Sequence, residues 1–140
     1  MQLLLPKITV YITNYNYGRF LKRAVESVLI QTEQNFEIII IDDGSTDDSI
    51  SLIQSYMDHP KIKIVLQKNK GLTITNNLAL KLSRGKYIMR LDADDYLVKE
   101  ALEKLSTVLD EKFESGMVFG DYYLVDENEN ILEHSIHIYN

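Results

Sequence analysis

The chain alternates between short segments with the period of a β-strand and longer segments with helical spacing. Ile8, Val10 and Ile12 alternate with polar residues, which predicts a first strand. From Leu21 onward, apolar residues recur on one helical face. Residues 36–41 are apolar on both faces. Such a segment is typical of a central parallel strand that is covered by helices on both sides.

The same alternation continues along the chain. Further strands are predicted at residues 62–66, 87–91, 117–123 and 131–138. A helical pattern precedes each of the first three of these strands. The resulting order, β-α-β-α-β-α-β-α-β-β, predicts an α/β fold with a mostly parallel sheet and helices on both faces. The sequence contains no repeat or linker, so residues 1–140 are expected to form a single domain.

Composition restricts the possible functions. A formal charge of −6 argues against a surface that binds nucleic acid. The chain has no cysteine, which excludes disulfides and thiolate metal sites and fits a reducing compartment. None of its apolar stretches approaches the length of about 20 residues that spans a bilayer. A cytoplasmic protein without a transmembrane segment is therefore expected.

Two acidic clusters each follow a predicted strand. Asp42 and Asp43 follow residues 36–41, and Asp92 and Asp94 follow residues 87–91. Open α/β sheets bind ligands at the carboxyl ends of their strands. Carboxylates gathered there repel one another unless a cation or hydrogen-bond donors offset them. The two clusters therefore predict one cation-assisted site for a polar or phosphorylated ligand.

The second cluster has the spacing of a metal site. In Asp92-Ala93-Asp94, alternate positions direct two carboxylates to the same side. Such hard oxygen ligands suit Mg²⁺ or Mn²⁺. An alternative interpretation is that Asp94 and Asp95 cap a helix beginning near Val98.

The first cluster can also be interpreted in two ways. A carboxylate at a strand end can accept a hydrogen bond from a nucleobase N–H or a ribose hydroxyl, and Gly44 permits a tight turn. Alternatively, residues 45–48 form a helix N-cap in which Ser45 is the capping residue. Capping accounts for Ser45 but leaves Asp42 and Asp43 unexplained.

Two further segments are expected at the same edge of the sheet. The first strand ends in Thr13 and Tyr15, which can provide a hydroxyl and an aromatic face for a base. Lys70 follows the third strand and is the basic residue best placed to meet a phosphate. Each signal is weak alone and gains weight from its position beside the acidic clusters.

Together these segments resemble glycosyltransferase family 2, the inverting nucleotide-sugar enzymes with the GT-A fold; the matching stretches are residues 10–16, 27–32, 37–47 and 85–95. The resemblance implies that Thr13, Tyr15 and Asp43 line the base pocket of a nucleotide diphosphate sugar, with Asp42 close by. It implies that Asp92 lies near the ribose or sugar. Asp94 would bind the metal as part of the DXD motif.

The resemblance also implies partners. The expected donor is a UDP-sugar, and the expected acceptor is a saccharide or a lipid-linked saccharide. The expected products are cell-envelope polysaccharide or lipopolysaccharide, made in the cytoplasm or at the inner face of the membrane.

The sequence departs from the family pattern in two places. Many members have Ala-Arg-Asn in the third helix, where this chain has Thr-Asn-Asn at residues 75–77. Neutralisation of the diphosphate is therefore expected to depend on the metal or on Lys70. The resemblance also implies that the catalytic base is a carboxylate well downstream of the DXD motif, in the acceptor-binding half. This chain ends at Asn140 and is expected to lack that half, so no catalytic base is identified, and Asp121 and Asp126 are candidates by charge alone. We therefore expect nucleotide binding with little or no transfer, and an uncovered C-terminal edge from Met117 that favours homo-oligomers.

Three other functions compete with this interpretation. A non-catalytic nucleotide-sugar-binding module would show the same motifs. A phospho-acceptor receiver domain has an acidic Mg²⁺ pocket, but its paired acids follow the first strand, which here ends in Thr13-Asn14. A phosphatase of the haloacid dehalogenase type has Asp-x-Asp after a strand, but it requires Thr or Val where this chain has Tyr96.

Overall fold

The computed structural model describes residues 5–136, and their elements follow the predicted order. They are β1 (Ile8–Asn14), α1 (Gly18–Leu29), β2 (Phe36–Asp42), α2 (Ser49–Gln54), β3 (Ile62–Leu66), α3 (Leu72–Leu82), β4 (Tyr87–Asp92), α4 (Ala101–Glu111), β5 (Tyr122–Val125) and β6 (Ile131–Ser135). Within this described part, no helix combines the length and apolarity needed to cross a membrane.

Four strands form a parallel sheet in the order β3-β2-β1-β4. From β1 the chain moves outward through β2 to β3, and it then returns to add β4 on the other side of β1. Such a reversal of direction opens a crevice at the carboxyl ends of the two strands that flank it. The fold therefore creates a ligand site between β1 and β4 before any particular side chain is considered.

Alternate residues of each strand enter two separate cores. Those on one face pack against α1, with contributions from α2 and the start of α4; the strand residues are Ile8, Val10, Ile12, Phe36, Ile38, Ile40 and Leu91. Those on the other face pack against Ala79 of α3; they are Tyr11, Ile39 and Ile41. Helices thus cover both faces of a parallel sheet, which confirms the predicted fold class.

A buried polar network joins the strands at their amino ends. Glu37 is 6% exposed, and its carboxylate accepts hydrogen bonds from the Thr9 hydroxyl at 2.8 Å and from the Arg84 guanidinium at 2.6 and 2.8 Å. Gly85 follows directly, and its backbone N–H donates to the Thr9 hydroxyl. A Cβ at Gly85 would lie 2.4 Å from the Thr9 nitrogen, so this close approach requires glycine.

The described residues divide into two compact units, with the boundary between Glu103 and Lys104. The first unit contains the parallel sheet. The second contains the remainder of α4 and the antiparallel pair β5-β6.

The predicted strand at residues 117–123 is the main correction to the fold. The strand begins later, at Tyr122, and pairs with β6 in a separate two-stranded sheet. Met117 lies outside any strand, and its side chain is exposed. A tight turn explains the local pairing, because Asp126 accepts hydrogen bonds from the backbone N–H groups of Asn128 and Asn130 and so folds β6 back onto β5. The predicted second strand, 131–138, ends at Ser135, and its last two positions lie outside the described residues.

Candidate functional site

A cavity of about 420 Å³ opens at the carboxyl ends of β1, β2 and β4. Asp43 from the first acidic cluster and Asp92 and Asp94 from the second line this cavity, together with Thr13 and Tyr15. Pockets for small molecules usually measure about 300–1,000 Å³. The structure therefore brings Asp43 together with Asp92 and Asp94 at one cavity.

Strand register explains why these residues meet. Thr13 on β1 is paired with Asp92 on β4, and Asn14 is paired with Asp42 on β2. Adjacent strands lie about 4.8 Å apart, so the paired residues lie at one level of the sheet edge. The cavity thus occupies the point where the strand order reverses, which is where open α/β sheets bind ligands.

The alternation of β2 separates the environments of Asp42 and Asp43. Ile40 belongs to the core that contains α1, whereas Ile41 belongs to the core that contains α3. Asp43 continues on the α3 side and lines the cavity. Asp42 lies on the other side and is not among the described residues that line the cavity.

Asp43 is a buried carboxylate held by donors from the segment between β3 and α3. Its Oδ1 accepts hydrogen bonds from Gln67 Nε2 at 2.7 Å and from the Lys70 backbone N–H at 2.9 Å, and its Oδ2 accepts one from the Gly71 backbone N–H at 2.9 Å. Burial alone would raise the pKa of Asp43, but the hydrogen bonds hold this pKa below its ordinary value. Asp43 therefore remains an ionised acceptor at neutral pH.

Asp42 stabilises the turn that follows β2. Its carboxylate accepts hydrogen bonds from Asn14 Nδ2 at 2.8 Å, the Ser45 hydroxyl at 2.6 Å, and the backbone N–H groups of Gly44 and Ser45. The interpretation of Ser45 as a helix cap is wrong, because α2 begins only at Ser49 and the Ser45 hydroxyl donates to Asp42 instead. Gly44 adopts φ +84° in this turn, which favours glycine.

Asp92 forms an ion pair inside the cavity. Arg90 lies two residues earlier on β4, so both side chains leave the same face of the strand. The Arg90 guanidinium contacts Asp92 Oδ1 through Nε at 2.8 Å and through its terminal nitrogen at 2.5 Å. Both residues line the cavity.

The loop that carries Asp94 is fastened to α1. Arg23 on α1 donates a hydrogen bond of 3.2 Å to the Asp94 carbonyl oxygen, and its guanidinium lies 4.4 Å from the centre of the Tyr96 ring.

The helix-cap interpretation of Asp94 and Asp95 is wrong, because α4 begins at Ala101. Desolvation, followed by the neighbouring charges of Asp94 and Asp92, raises the pKa of Asp95. The loop thus carries three neighbouring carboxylates, from Asp92, Asp94 and Asp95.

The donor set at this loop fits a hard divalent cation. Within residues 5–136, no three metal-binding side chains gather into a complete protein cage. A Mg²⁺ site normally needs only one or two carboxylates, because water and substrate phosphates provide the other ligands. Asp94 is exposed, and its carboxylate has no hydrogen-bond or ion-pair partner among the described residues. It is therefore available to such a cation.

Lys70 contributes to the site differently from the sequence expectation. Its backbone N–H donates to Asp43, but its side chain is exposed, and Lys70 is not among the described residues that line the cavity. Sequence reasoning missed several lining residues: Tyr17, Asn69, Leu72, Thr75 and Arg90. Only Arg90 could have been found from the sequence, because strand alternation places it on the same side as Asp92.

Residues 9–139 match the family model described as Glycosyl transferase family 2. The chain belongs to this family. Its sheet and helices form the GT-A fold that the solved relatives share, as the sequence resemblance predicts. Membership places the chain outside the receiver domains and the haloacid dehalogenase phosphatases.

Two curated relatives are named as a chondroitin synthase and a glycosyltransferase. Chondroitin synthase from Escherichia coli is 44% identical over 99 residues, which are 70% of this chain and 14% of that protein. Glycosyltransferase GlyG from Streptococcus pneumoniae is 36% identical over 124 residues, which are 87% of this chain and 41% of that protein. This chain therefore spans less than half the length of these curated relatives.

Two solved structures share the fold. Staphylococcus aureus TarS in complex with UDP-GlcNAc is 28% identical with a TM-score of 0.70, and the match covers 76% of this chain and 32% of that one. The mannosyltransferase PcManGT from Pyrobaculum calidifontis, in complex with GDP-Man and Mn²⁺, has a TM-score of 0.68 over 75% of this chain and 32% of that one. At 22% identity, the second comparison shows the fold alone.

Proposed function

We propose that this chain is the donor-binding part of an inverting glycosyltransferase. The donor is a nucleotide diphosphate sugar, expected to be a UDP-sugar, and the acceptor is a hydroxyl of a saccharide or a lipid-linked saccharide. The observation that carries the proposal is the placement of Asp43, Asp92 and Asp94 around one cavity. A role in polysaccharide synthesis is supported by the similarity to a chondroitin synthase.

The end of the cavity next to β2 suits a nucleobase. A carboxylate offers about four acceptor positions, and the described contacts of Asp43 use three of them. The remaining position on Oδ2 can accept a base N–H. Thr13 provides a hydroxyl, and the exposed rings of Tyr15 and Tyr17 provide surfaces on which a planar base can stack.

The end of the cavity next to β4 suits the sugar and the diphosphate. Asp92 keeps one oxygen clear of Arg90, and this oxygen can accept from a ribose or sugar hydroxyl. Asp94 is the residue that would hold Mg²⁺ or Mn²⁺, with Asp92 nearby. A bound divalent cation supplies electrostatic stabilisation of the charge that develops on the leaving diphosphate.

Asp42 supports the site through its carboxylate, and Lys70 supports it through its backbone N–H. Asp42 fixes the turn that places Asp43, and the Lys70 N–H holds the Asp43 carboxylate. In this proposal they belong to the nucleotide-sugar site because they position Asp43.

We expect binding without efficient transfer by this chain. Asp43, Asp92 and Asp94 are the only carboxylate residues among the described ones that line the cavity, and the proposal assigns all three to the donor. Asp126 is a poor candidate for the general base, because the turn it closes already donates three hydrogen bonds to its carboxylate. This observation favours a second candidate function, a nucleotide-sugar-binding module without activity. Transfer or hydrolysis of a labelled donor would distinguish the two.

Calorimetry with UDP, GDP and dTDP, each with and without Mn²⁺, tests the proposal. We expect the wild-type chain to bind at least one nucleotide more tightly with Mn²⁺. In Asp94→Ala the Mn²⁺ effect should disappear while the fold, measured by circular dichroism, stays intact. Asp58→Ala is the matched control, because Asp58 is exposed and does not line the cavity. The proposal would be refuted if the wild-type chain bound none of the three nucleotides.

We also propose that the chain self-associates through its C-terminal region. Large apolar side chains are exposed there, including Phe113 at 85% and Met117 at 78%. Exposed apolar surface favours association. Sedimentation velocity over a range of concentrations should show a rising average mass, and a monomer at every concentration would refute this proposal.

A further inference from the structure

The cavity lacks enough positive charge for the ligand proposed for it. Three carboxylates line it, from Asp43, Asp92 and Asp94, and among the described lining residues Arg90 is the single cationic side chain. A nucleotide diphosphate brings additional negative charge into the same space. Close like charges repel, so the diphosphate needs a compensating cationic side chain beside the divalent cation proposed for Asp94.

Other elements at the cavity do not provide this cationic side chain. Helix α3 contributes Leu72 and Thr75, which are both neutral. Thr75 is also committed to the fold, because its hydroxyl contacts Gln67 and the Gly71 carbonyl oxygen. Lys70 contributes a backbone N–H to Asp43, but it is not among the described lining residues.

Arg90 has donors available for a ligand. A guanidinium carries five N–H donors in a planar fork. Nε and one terminal nitrogen of Arg90 both contact the same oxygen of Asp92, so one edge of the fork is engaged. Within residues 5–136, the guanidinium has no other hydrogen-bond partner. Its remaining N–H groups are thus available to a phosphate that enters the cavity.

We propose that Arg90 binds the diphosphate of the nucleotide-sugar donor. This inference rests on the proposed function. The ion pair with Asp92 holds the guanidinium in the cavity before a ligand arrives, which reduces the conformational entropy lost on binding. Because Asp92 keeps its other oxygen, it can contact a hydroxyl of the ligand while Arg90 contacts a phosphate.

A ligand series separates this contact from a general effect on the site. Uridine, UMP and UDP share one base and ribose and differ only in phosphate, so their affinities for the full chain report the phosphate contact directly. The same calorimetry is repeated on Arg90→Gln, which removes the charge, and on Arg90→Lys, which keeps the charge but not the fork. Lys63→Gln is the matched control, because it removes one positive charge from an exposed position that does not line the cavity.

We expect Arg90→Gln to bind UDP about 10-fold more weakly or worse, since a hydrogen bond to a charged group of this kind contributes that much. Uridine affinity should change by less than about twofold, Arg90→Lys should be intermediate, and Lys63→Gln should match the wild type. Equal UDP affinity of wild type and Arg90→Gln would overturn the inference and leave the proposed function standing.

Two other results also overturn the inference. An equal loss for uridine and UDP would mean that Arg90 acts by orienting Asp92 and makes no phosphate contact. A wild-type chain that binds none of UDP, GDP and dTDP would refute the proposed function, and this inference with it. Circular dichroism of Arg90→Gln confirms that any loss occurs in a folded protein.

Discussion

The side-chain amide of Asn14 donates a hydrogen bond of 2.8 Å to the Asp42 carboxylate and so joins the end of β1 to the end of β2. Asn14 is 2% exposed and Asp42 is 1% exposed, so water does not compete for this contact. The same carboxylate receives the hydroxyl and the backbone N–H of Ser45. One buried carboxylate therefore fixes both the separation of two strands and the turn that precedes the cavity.

Replacing Asp42 should lower stability more than it affects the ligand. In Asp42→Asn, an NH₂ group replaces an acceptor and faces the donors Asn14 and Ser45. Unsatisfied buried groups of this kind cost about 1–3 kcal/mol, so we expect the free energy of unfolding in urea to fall by about 2 kcal/mol. Nucleotide affinity of the folded protein should fall less than in Asp43→Asn. A stability equal to that of the wild type would contradict the role assigned to Asp42.

Replacing Asp43 should affect nucleotide binding directly. Asp43→Asn removes the negative charge and presents an NH₂ group to the donors from Lys70 and Gly71 or to the ligand. We expect the affinity for the preferred nucleoside and its diphosphate to fall by a similar factor, about 10-fold, because the lost contact is to the base. A loss confined to the diphosphate would instead assign Asp43 to the phosphate end of the cavity.

The Glu37 network should make stability depend on pH. Burial would raise the pKa of Glu37, but hydrogen bonds from Thr9 and Arg84 lower it below its ordinary value. A lowered pKa contributes stability above the pKa of the unfolded chain, about 4.3. This stability is lost as pH falls through the folded value. The free energy of unfolding should therefore decrease from pH 7 to about pH 3.

Glu37→Gln tests the origin of that pH dependence. We expect the variant to be about 2 kcal/mol less stable at neutral pH, because the Arg84 guanidinium loses its charged partner. Its stability should then change less between pH 7 and about pH 3 than that of the wild type. Urea unfolding at several pH values measures both effects. A pH dependence identical to that of the wild type would show that other carboxylates are responsible.

Arg23 should influence the metal through the loop that contains Asp94. Arg23→Met keeps the aliphatic part of the side chain but removes the hydrogen bond to the Asp94 carbonyl oxygen. We expect the gain in nucleotide affinity caused by Mn²⁺ to decrease about threefold, which corresponds to about 0.6 kcal/mol. Arg19→Met is the control, because Arg19 lies one turn earlier on α1 and packs on Phe20. An equal effect in both variants would indicate loss of charge alone.

The strands, and the edge of the sheet at which the site lies, were predictable because their sequence signals are local. Alternation in β1 and the apolar residues 36–41 need no distant partner to be recognised, and acidic residues at strand ends must share an edge if the strands are parallel. The failures occurred where local signals were ambiguous. Serine is a common helix-capping residue, yet the hydroxyl of Ser45 contacts Asp42. Met117 begins a segment that resembles a strand in its residue types, yet Met117 lies in no strand.

The sequence by itself determined the family, the α/β order and the meeting of two acidic clusters at one edge of the sheet. Only the tertiary structure decided which carboxylate faces the cavity and which groups hold it. The donors to Asp43 come from residues 24 to 28 positions later, and the donor to the Asp94 loop comes from 71 positions earlier. Such contacts depend on how strands align and helices pack, and no local pattern of residue types encodes that alignment.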